Sequence, residues 1–172
     1  RDLRRVSDRV LGREKPSPVQ VRTFRSPFEG AEFLRRLAAH PGPWAFDIET
    51  YDAQVTPSRL FVSVDPCHPD FRVRGIAFAW SETSGAWVDC MESETRKDEA
   101  RALFTPVFSS DADKWAFNGS FDEESVICAG WAPEVYRRSG DGMLALVALG
   151  NARHESLKLE KAVVDILNLP QG

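Results

Sequence analysis

The segment Trp44-Ala45-Phe46-Asp47-Ile48-Glu49-Thr50 constrains the fold more than any other stretch of the chain. Trp44, Phe46 and Ile48 alternate with Ala45, Asp47 and Glu49, which is the two-residue period of a β-strand. Successive strand side chains point to opposite faces, so Asp47 and Glu49 share one face and the large apolar residues share the other. Two acids side by side on an apolar strand repel each other, and burial raises their pKa values. A divalent cation removes that conflict, and hard oxygen ligands suit magnesium or manganese. Taken alone, the pair is more simply read as a strand end whose acids are solvated or matched by arginines, because short motifs often match by accident. A second acidic element elsewhere in the chain is needed to decide.

The chain is long enough, at 172 residues, for one domain with a real core. No apolar run approaches a membrane span, and the basic N-terminus lacks an apolar signal core. Cys67, Cys90 and Cys128 are odd in number and widely spaced, with no Cys-x-x-Cys pair, so a zinc site is not expected. Three reduced thiols point to a cytosol-like compartment. Residues 1–36 hold ten Lys and Arg against five Asp and Glu, a balance of +5, which leaves −9 for the rest of a chain with net charge −4. A basic arm beside an acidic body fits a protein that meets phosphate with one part and metal with another; a solvated helix and ordinary surface acids fit as well.

In chain order, residues 1–13 read as a short amphipathic basic helix and 14–18 as a linker, followed by the main domain, 19–172. A short strand over 19–24 leads to Ser26-Pro27-Phe28-Glu29, an N-cap signature for a helix reaching about Ala39. After the acidic strand comes a loop over 51–71, which leaves room for a short strand at 60–64. A hairpin over 73–80 and 86–90 is expected to turn through Ser84-Gly85. A helix from Ser93 with apolar positions Ala100, Leu103, Phe104, Val107 and Phe108 precedes a brief strand at 114–117. Helices over about 121–129, from Gly140 or Asp141 to Leu149, and over 156–169 complete the chain. The order implies an α/β fold with a mixed, partly antiparallel sheet flanked by helices.

The second acidic element is Asp122, at the first turn of the helix that follows Asn118-Gly119-Ser120-Phe121. A carboxylate near a helix N-terminus has favourable electrostatics and needs no chemistry to explain it. It lies 73 residues beyond Glu49, yet a sheet can bring both strand ends together.

In combination, Phe46-Asp47-Ile48-Glu49-Thr50 and Asn118-Gly119-Ser120-Phe121-Asp122, separated by a hairpin and a helix, resemble the first two motifs of the DEDD superfamily of 3′–5′ exonucleases, which has a ribonuclease-H-like fold. Downstream, Asp141-Gly142-Met143-Leu144-Ala145 and His154-Glu155-Ser156-Leu157-Lys158-Leu159 resemble segments of the proofreading domain of family A DNA polymerases. The resemblance covers about residues 19 to 169. It implies metal-dependent hydrolysis of 3′-terminal phosphodiesters with release of nucleoside monophosphates. Asp47, Glu49 and Asp122 would ligate two divalent cations, Mg2+ or Mn2+. Asp47 would bridge them, Glu49 would hold the one that activates water, and Asp122 would anchor the other. Thr50, Tyr51 and Asn118 would contact the terminal nucleotides, and Phe121 would pack beneath the site. Asp141 would be a helix cap. Arg59, Arg72 and Arg74 are candidates for phosphate contact and equally plain surface arginines.

The superfamily's fourth acid follows a tyrosine by four residues or a histidine by five, and no such pair follows His154; Asp165 lies too early to take the role. The expectation is a domain cut short at its C-terminal end, with a degenerate exonuclease-like scaffold as the alternative. The implied partners are a single-stranded 3′ end of DNA, with RNA as the alternative, and a polymerase portion in cis or in trans. The implied location is the cytoplasm, at the nucleoid or replication machinery, or an organelle. A ribonuclease D-like RNA-trimming exonuclease shares the same acids and is the runner-up; a family B polymerase proofreading domain fits the later segment less well.

Overall fold

A computed structural model of the protein describes residues 19–52 and 65–148. The described elements are β1 (Gln20–Phe24), α1 (Ala31–Ala38), β2 (Trp44–Asp52), β3 (Phe71–Ser81), β4 (Ser84–Asp89), a 3-10 turn at Met91–Glu94, α2 (Lys97–Phe108), β5 (Lys114–Ala116), α3 (Gly119–Cys128), β6 (Arg138–Asp141) and α4 (Gly142–Ala148). The strands form one sheet in the order β1-β4-β3-β2-β5-β6. The β4-β3-β2 centre is antiparallel, whereas β1 joins β4, β5 joins β2 and β6 joins β5 in parallel. This is the expected mixed sheet with flanking helices. The expected basic helix, the linker, the strand at 60–64, Arg59 and everything from Leu149 onward, including His154–Leu159, lie outside the described residues.

The alternation in β2 sets the two faces. Trp44, Phe46 and Ile48 are 2%, 3% and 6% exposed, whereas Asp47 is half-buried and Glu49 exposed. On the apolar side, Ile76, Phe78 and Val88 continue the face across β3 and β4, and α1 and α2 cover it with Leu34, Leu37, Phe104 and Phe108. Edge-to-face aromatic packing fixes this layer, with ring centroids of Trp44 and Phe78 at 5.7 Å and of Phe46 and Phe108 at 5.5 Å. Lys114 opens β5 fully buried, and its Nζ donates to the carbonyls of Ser110, Ala112 and Tyr136 at 2.7, 2.9 and 2.8 Å. Burial first, and then Arg137, lowers its pKa to about 8. That three-carbonyl anchor ties β5 to the turns on either side of it.

Four boundaries differ from expectation, each for a local reason. The Ser26 hydroxyl does accept the Glu29 N–H at 3.2 Å, but the Glu29 carboxylate turns to the Arg25 N–H at 2.8 Å, and the regular helix begins only at Ala31. The β3–β4 hairpin turns at Glu82-Thr83, not at Ser84-Gly85, which belong to β4. Gly85 is needed there because a Cβ would come within 2.8 Å of the Phe78 carbonyl oxygen beside a register shift. The helix expected from Ser93 starts at Lys97, after the 3-10 turn. The strand β6 was not expected, since Arg138-Ser139-Gly140-Asp141 carries no strand-favouring side chain. It forms because Gly140 leaves room for the Trp115 ring, which a Cβ would meet at 2.0 Å.

Candidate active site

The acids are brought together by where β5 ends. Its pairing with β2 covers only Trp44 with Lys114 and Ala45 with Trp115. Among the described residues the edge of β2 beyond Ala45 has no strand partner on that side, and the chain of β5 has already turned into α3. The turn needs a left-handed residue, and Asn118 supplies it at φ 60°, a conformation asparagine tolerates better than most residues. Asp122 then falls in the first turn of α3, 2% exposed, with its Oδ1 accepting the backbone N–H of Ile48 at 3.0 Å. Ile48 lies between Asp47 and Glu49, so the third acid is docked on the backbone that carries the first two.

Asp141 holds this arrangement. Its Oδ2 accepts the Gly119 N–H at 2.7 Å, and its Oδ1 accepts the N–H groups of Asn118, Met143 and Leu144 at 3.2, 2.9 and 3.3 Å. Arg138 lies 3.6 Å from Oδ2. Asp141 therefore caps α4, as expected, and also fixes the start of α3. The second role has no signal in the sequence, because the two helix starts are joined only through the parallel pairing of β5 with β6.

The electrostatics match three acids in one neighbourhood. Burial, followed by the charge of Glu49, raises the pKa of Asp47. Burial raises that of Asp122 to about 7 against the lowering effect of the Ile48 N–H, and the charges of Asp47, Asp141 and Glu49 add to the rise. Such a donor set suits a hard divalent cation. Among the described residues no group of three or more His, Cys, Asp or Glu side chains forms a ready-made metal nest. The backbone gathers the three acids, and the side chains as placed do not close around one point.

The other expected site residues take the following places. Thr50 and Tyr51 continue β2 and are half-buried; a register shift between Glu49 and Thr50 sets Thr50 opposite Val73 and Tyr51 opposite Arg72. Burial, with Glu94 nearby, raises the Tyr51 pKa, and Arg72 and Arg74 oppose the rise. Asn118 is exposed at the start of α3. Phe121 is half-buried, edge-to-face with Phe71 at 6.4 Å. Arg72 pairs with Glu94 and Arg74 with Asp89, each at 3.0 Å. Beside Asp47, the acidic face of the sheet opens into an apolar cavity of about 360 Å3 lined by Ala45, Ala77, Ala79, Trp115 and Phe117. No helix among the described residues is long and apolar enough to cross a membrane.

No model of a known protein family matches the sequence, and no curated protein matches it. Solved structures do match the fold. The catalytic core of RRP6 from Trypanosoma brucei superposes with a TM-score of 0.60 at 16% identity, over 96% of this chain and 43% of that one. Escherichia coli RNase D, an exoribonuclease involved in structured RNA processing, gives a TM-score of 0.52 at 15% identity over 88% of this chain and 34% of its own. Brucella melitensis NrnC with bound Mg2+ gives 0.54 at 9% identity, over 91% and 65%. The chain thus spans less than half the length of the RRP6 and RNase D structures it matches. At these identities the likeness establishes the architecture alone: the protein shares the mixed α/β, ribonuclease-H-like fold of these structures.

Proposed function

We propose that this chain is the nuclease domain of a metal-dependent 3′–5′ exonuclease of the ribonuclease D type, which shortens RNA from its 3′ end. The observation that carries the reading is the seat of Asp122 on the Ile48 N–H, which sets the third acid beside Asp47 and Glu49 within an exonuclease-type sheet. The structural neighbours include an exoribonuclease and an Mg2+-bound protein, and they favour RNA trimming over the polymerase-proofreading expectation. That expectation leaned on the stretch from Asp141 to Leu159. Asp141 acts as a double cap, which serves any protein of this shape, and the rest of the stretch lies outside the described residues.

Asp47, Glu49 and Asp122 would hold the divalent cations, which supply an activated water and stabilise the leaving oxygen. The Ile48 N–H occupies one oxygen of Asp122, so the other is the one that would ligate an ion. Asp122 would release its proton to bind them, so its raised pKa should weaken cation binding as pH falls. Exposed Asn118 and half-buried Tyr51 flank the acids from α3 and from the end of β2, where a terminal nucleotide would lie.

The test uses the intact protein with 5′-labelled single-stranded RNA and DNA of one sequence, with Mg2+ or Mn2+. The expected result is a ladder of products shortened from the 3′ end, formed faster from RNA and abolished by Asp47→Ala. A ladder that survives Asp47→Ala overturns the assignment. A non-catalytic exonuclease-like module is the second reading, favoured by the absence of a ready three-ligand nest among the described residues. It predicts RNA retention with no trimming and no dependence on the cation.

A further inference from the structure

Two cysteines that are far apart in sequence meet at the end of α3 remote from Asp122. Cys67 lies in the turn before β3, where its N–H donates to the Asp65 carboxylate at 3.1 Å. Cys128 is the last residue of α3. Their sulfur atoms are 3.4 Å apart, and both residues are exposed. Both line a cavity of about 370 Å3 together with His68, Arg72, Glu94 and Lys97, so a small reagent can reach the sulfurs. The third cysteine, Cys90, is 1% exposed, its thiol donating to the Val88 carbonyl.

We propose that Cys67 and Cys128 form a redox-active dithiol site, converted to an intramolecular disulfide by a small-molecule disulfide. The sulfurs already touch, so closing the bond asks for side-chain adjustment and not for a change of fold. In the exchange, a thiolate of one cysteine attacks a sulfur of RSSR and releases the first RSH equivalent. The other cysteine then attacks the protein sulfur of that mixed disulfide and releases the second. One small-molecule S–S bond and two protein S–H bonds become one protein S–S bond and two RSH. Burial, together with Cys67, Glu124 and Asp65, holds the Cys128 thiol up at about 11, so little of it is thiolate at neutral pH and its attack is slow.

The bond would join residues 61 apart and close a loop containing β3, β4, α2, β5 and α3. It would pin the far end of the helix that carries Asp122 to the segment entering β3. The pairing rests on sulfur geometry alone and stands whether or not the protein is a nuclease.

The experiment incubates the intact protein with glutathione disulfide, denatures it, and alkylates the remaining thiols. Within residues 1–172, three labels should fall to one, carried by Cys90, with a cross-linked peptide joining Cys67 to Cys128 and full return of labelling after dithiothreitol. Cys67→Ser and Cys128→Ser should each show no internal cross-link, the remaining exposed cysteine either keeping its label or carrying glutathione as a mixed disulfide that dithiothreitol removes. The oxidised wild type should melt higher than the reduced form by roughly 5–10 °C, as a native cross-link over a long loop does. Three labels after prolonged oxidation, pairing through Cys90, or disulfides only between molecules would overturn the proposal.

Discussion

The carboxylate of Asp122 and the backbone N–H of Ile48 meet at 3.0 Å across 74 residues of sequence. That bond decides the geometry of the acidic cluster. It fixes α3 against β2 at the place where β5 stops pairing, and it takes a buried donor that no strand satisfies. Burial, against the lowering effect of this bond, leaves Asp122 with a carboxyl group that is costly to ionise.

Asp122→Asn separates these two roles. The amide oxygen can still accept from Ile48, so folding should be preserved and the melting temperature unchanged or higher. Ligation is lost, so trimming should fall by at least about 100-fold if the site is a metal nuclease. Asp122→Ala should in addition cost about 1–3 kcal/mol, because the Ile48 N–H is then buried without a partner. Thermal melts and oligonucleotide trimming on the two variants make the comparison.

The pH dependence of stability has a definite sign. The folded-state pKa of Asp122 is raised from 3.8 to about 7, so the folded protein keeps this proton while the unfolded chain releases it. The contribution is fully present below about pH 4, is lost as pH rises to about 7, and is flat above that. Metal-free protein titrated with urea between pH 4.5 and 8 should therefore show a falling component that Asp122→Asn removes. Cation binding should release a proton near pH 6 and tighten as pH rises.

Asp141 is the positioning residue of the site. One carboxylate accepts from Asn118 and Gly119 at the start of α3 and from Met143 and Leu144 in α4, a task one amide oxygen cannot reproduce. Asp141→Asn should cost about 1.5–3 kcal/mol, the usual worth of hydrogen bonds to a charged group. It should lower kcat more than it raises KM, since Asp122 loses its fixed helix start while the nucleotide contacts remain. Equal loss from KM alone would contradict this role.

Gly75 pairs with Glu49 across β2 and β3. A Cβ at that position would meet the Trp87 ring at 2.3 Å and the Val88 carbonyl oxygen at 2.8 Å, and the backbone atom cannot step aside. Gly75→Ala should destabilise by about 1–3 kcal/mol and displace the strand opposite Glu49. A melting curve that matches wild type would show that β3 yields more readily than its packing implies.

Much of this architecture was legible in the residues. The alternation at Trp44–Ile48 named both faces of the central strand, and the order of elements implied a mixed sheet. The strand β6 was not legible, because Arg138–Asp141 is a strand only through pairing with β5 and through the space Gly140 leaves for Trp115. Nor was the Ser84-Gly85 placement, where a turn-favouring pair is used for close backbone approach inside β4. The acids themselves could be listed from their order along the chain. Their docking through a backbone N–H, and the double cap at Asp141, depend on which strand ends are neighbours, and that is a property of the sheet.

The most direct test is crystallographic. Crystals of the intact protein soaked in Mn2+ should show an anomalous peak bonded to carboxylate oxygens of Asp47, Glu49 and Asp122, and the peak should vanish in Asp47→Ala. Manganese bound elsewhere with these three carboxylates free of it, at a pH above 7 where Asp122 is ionised, would contradict the shared cation site.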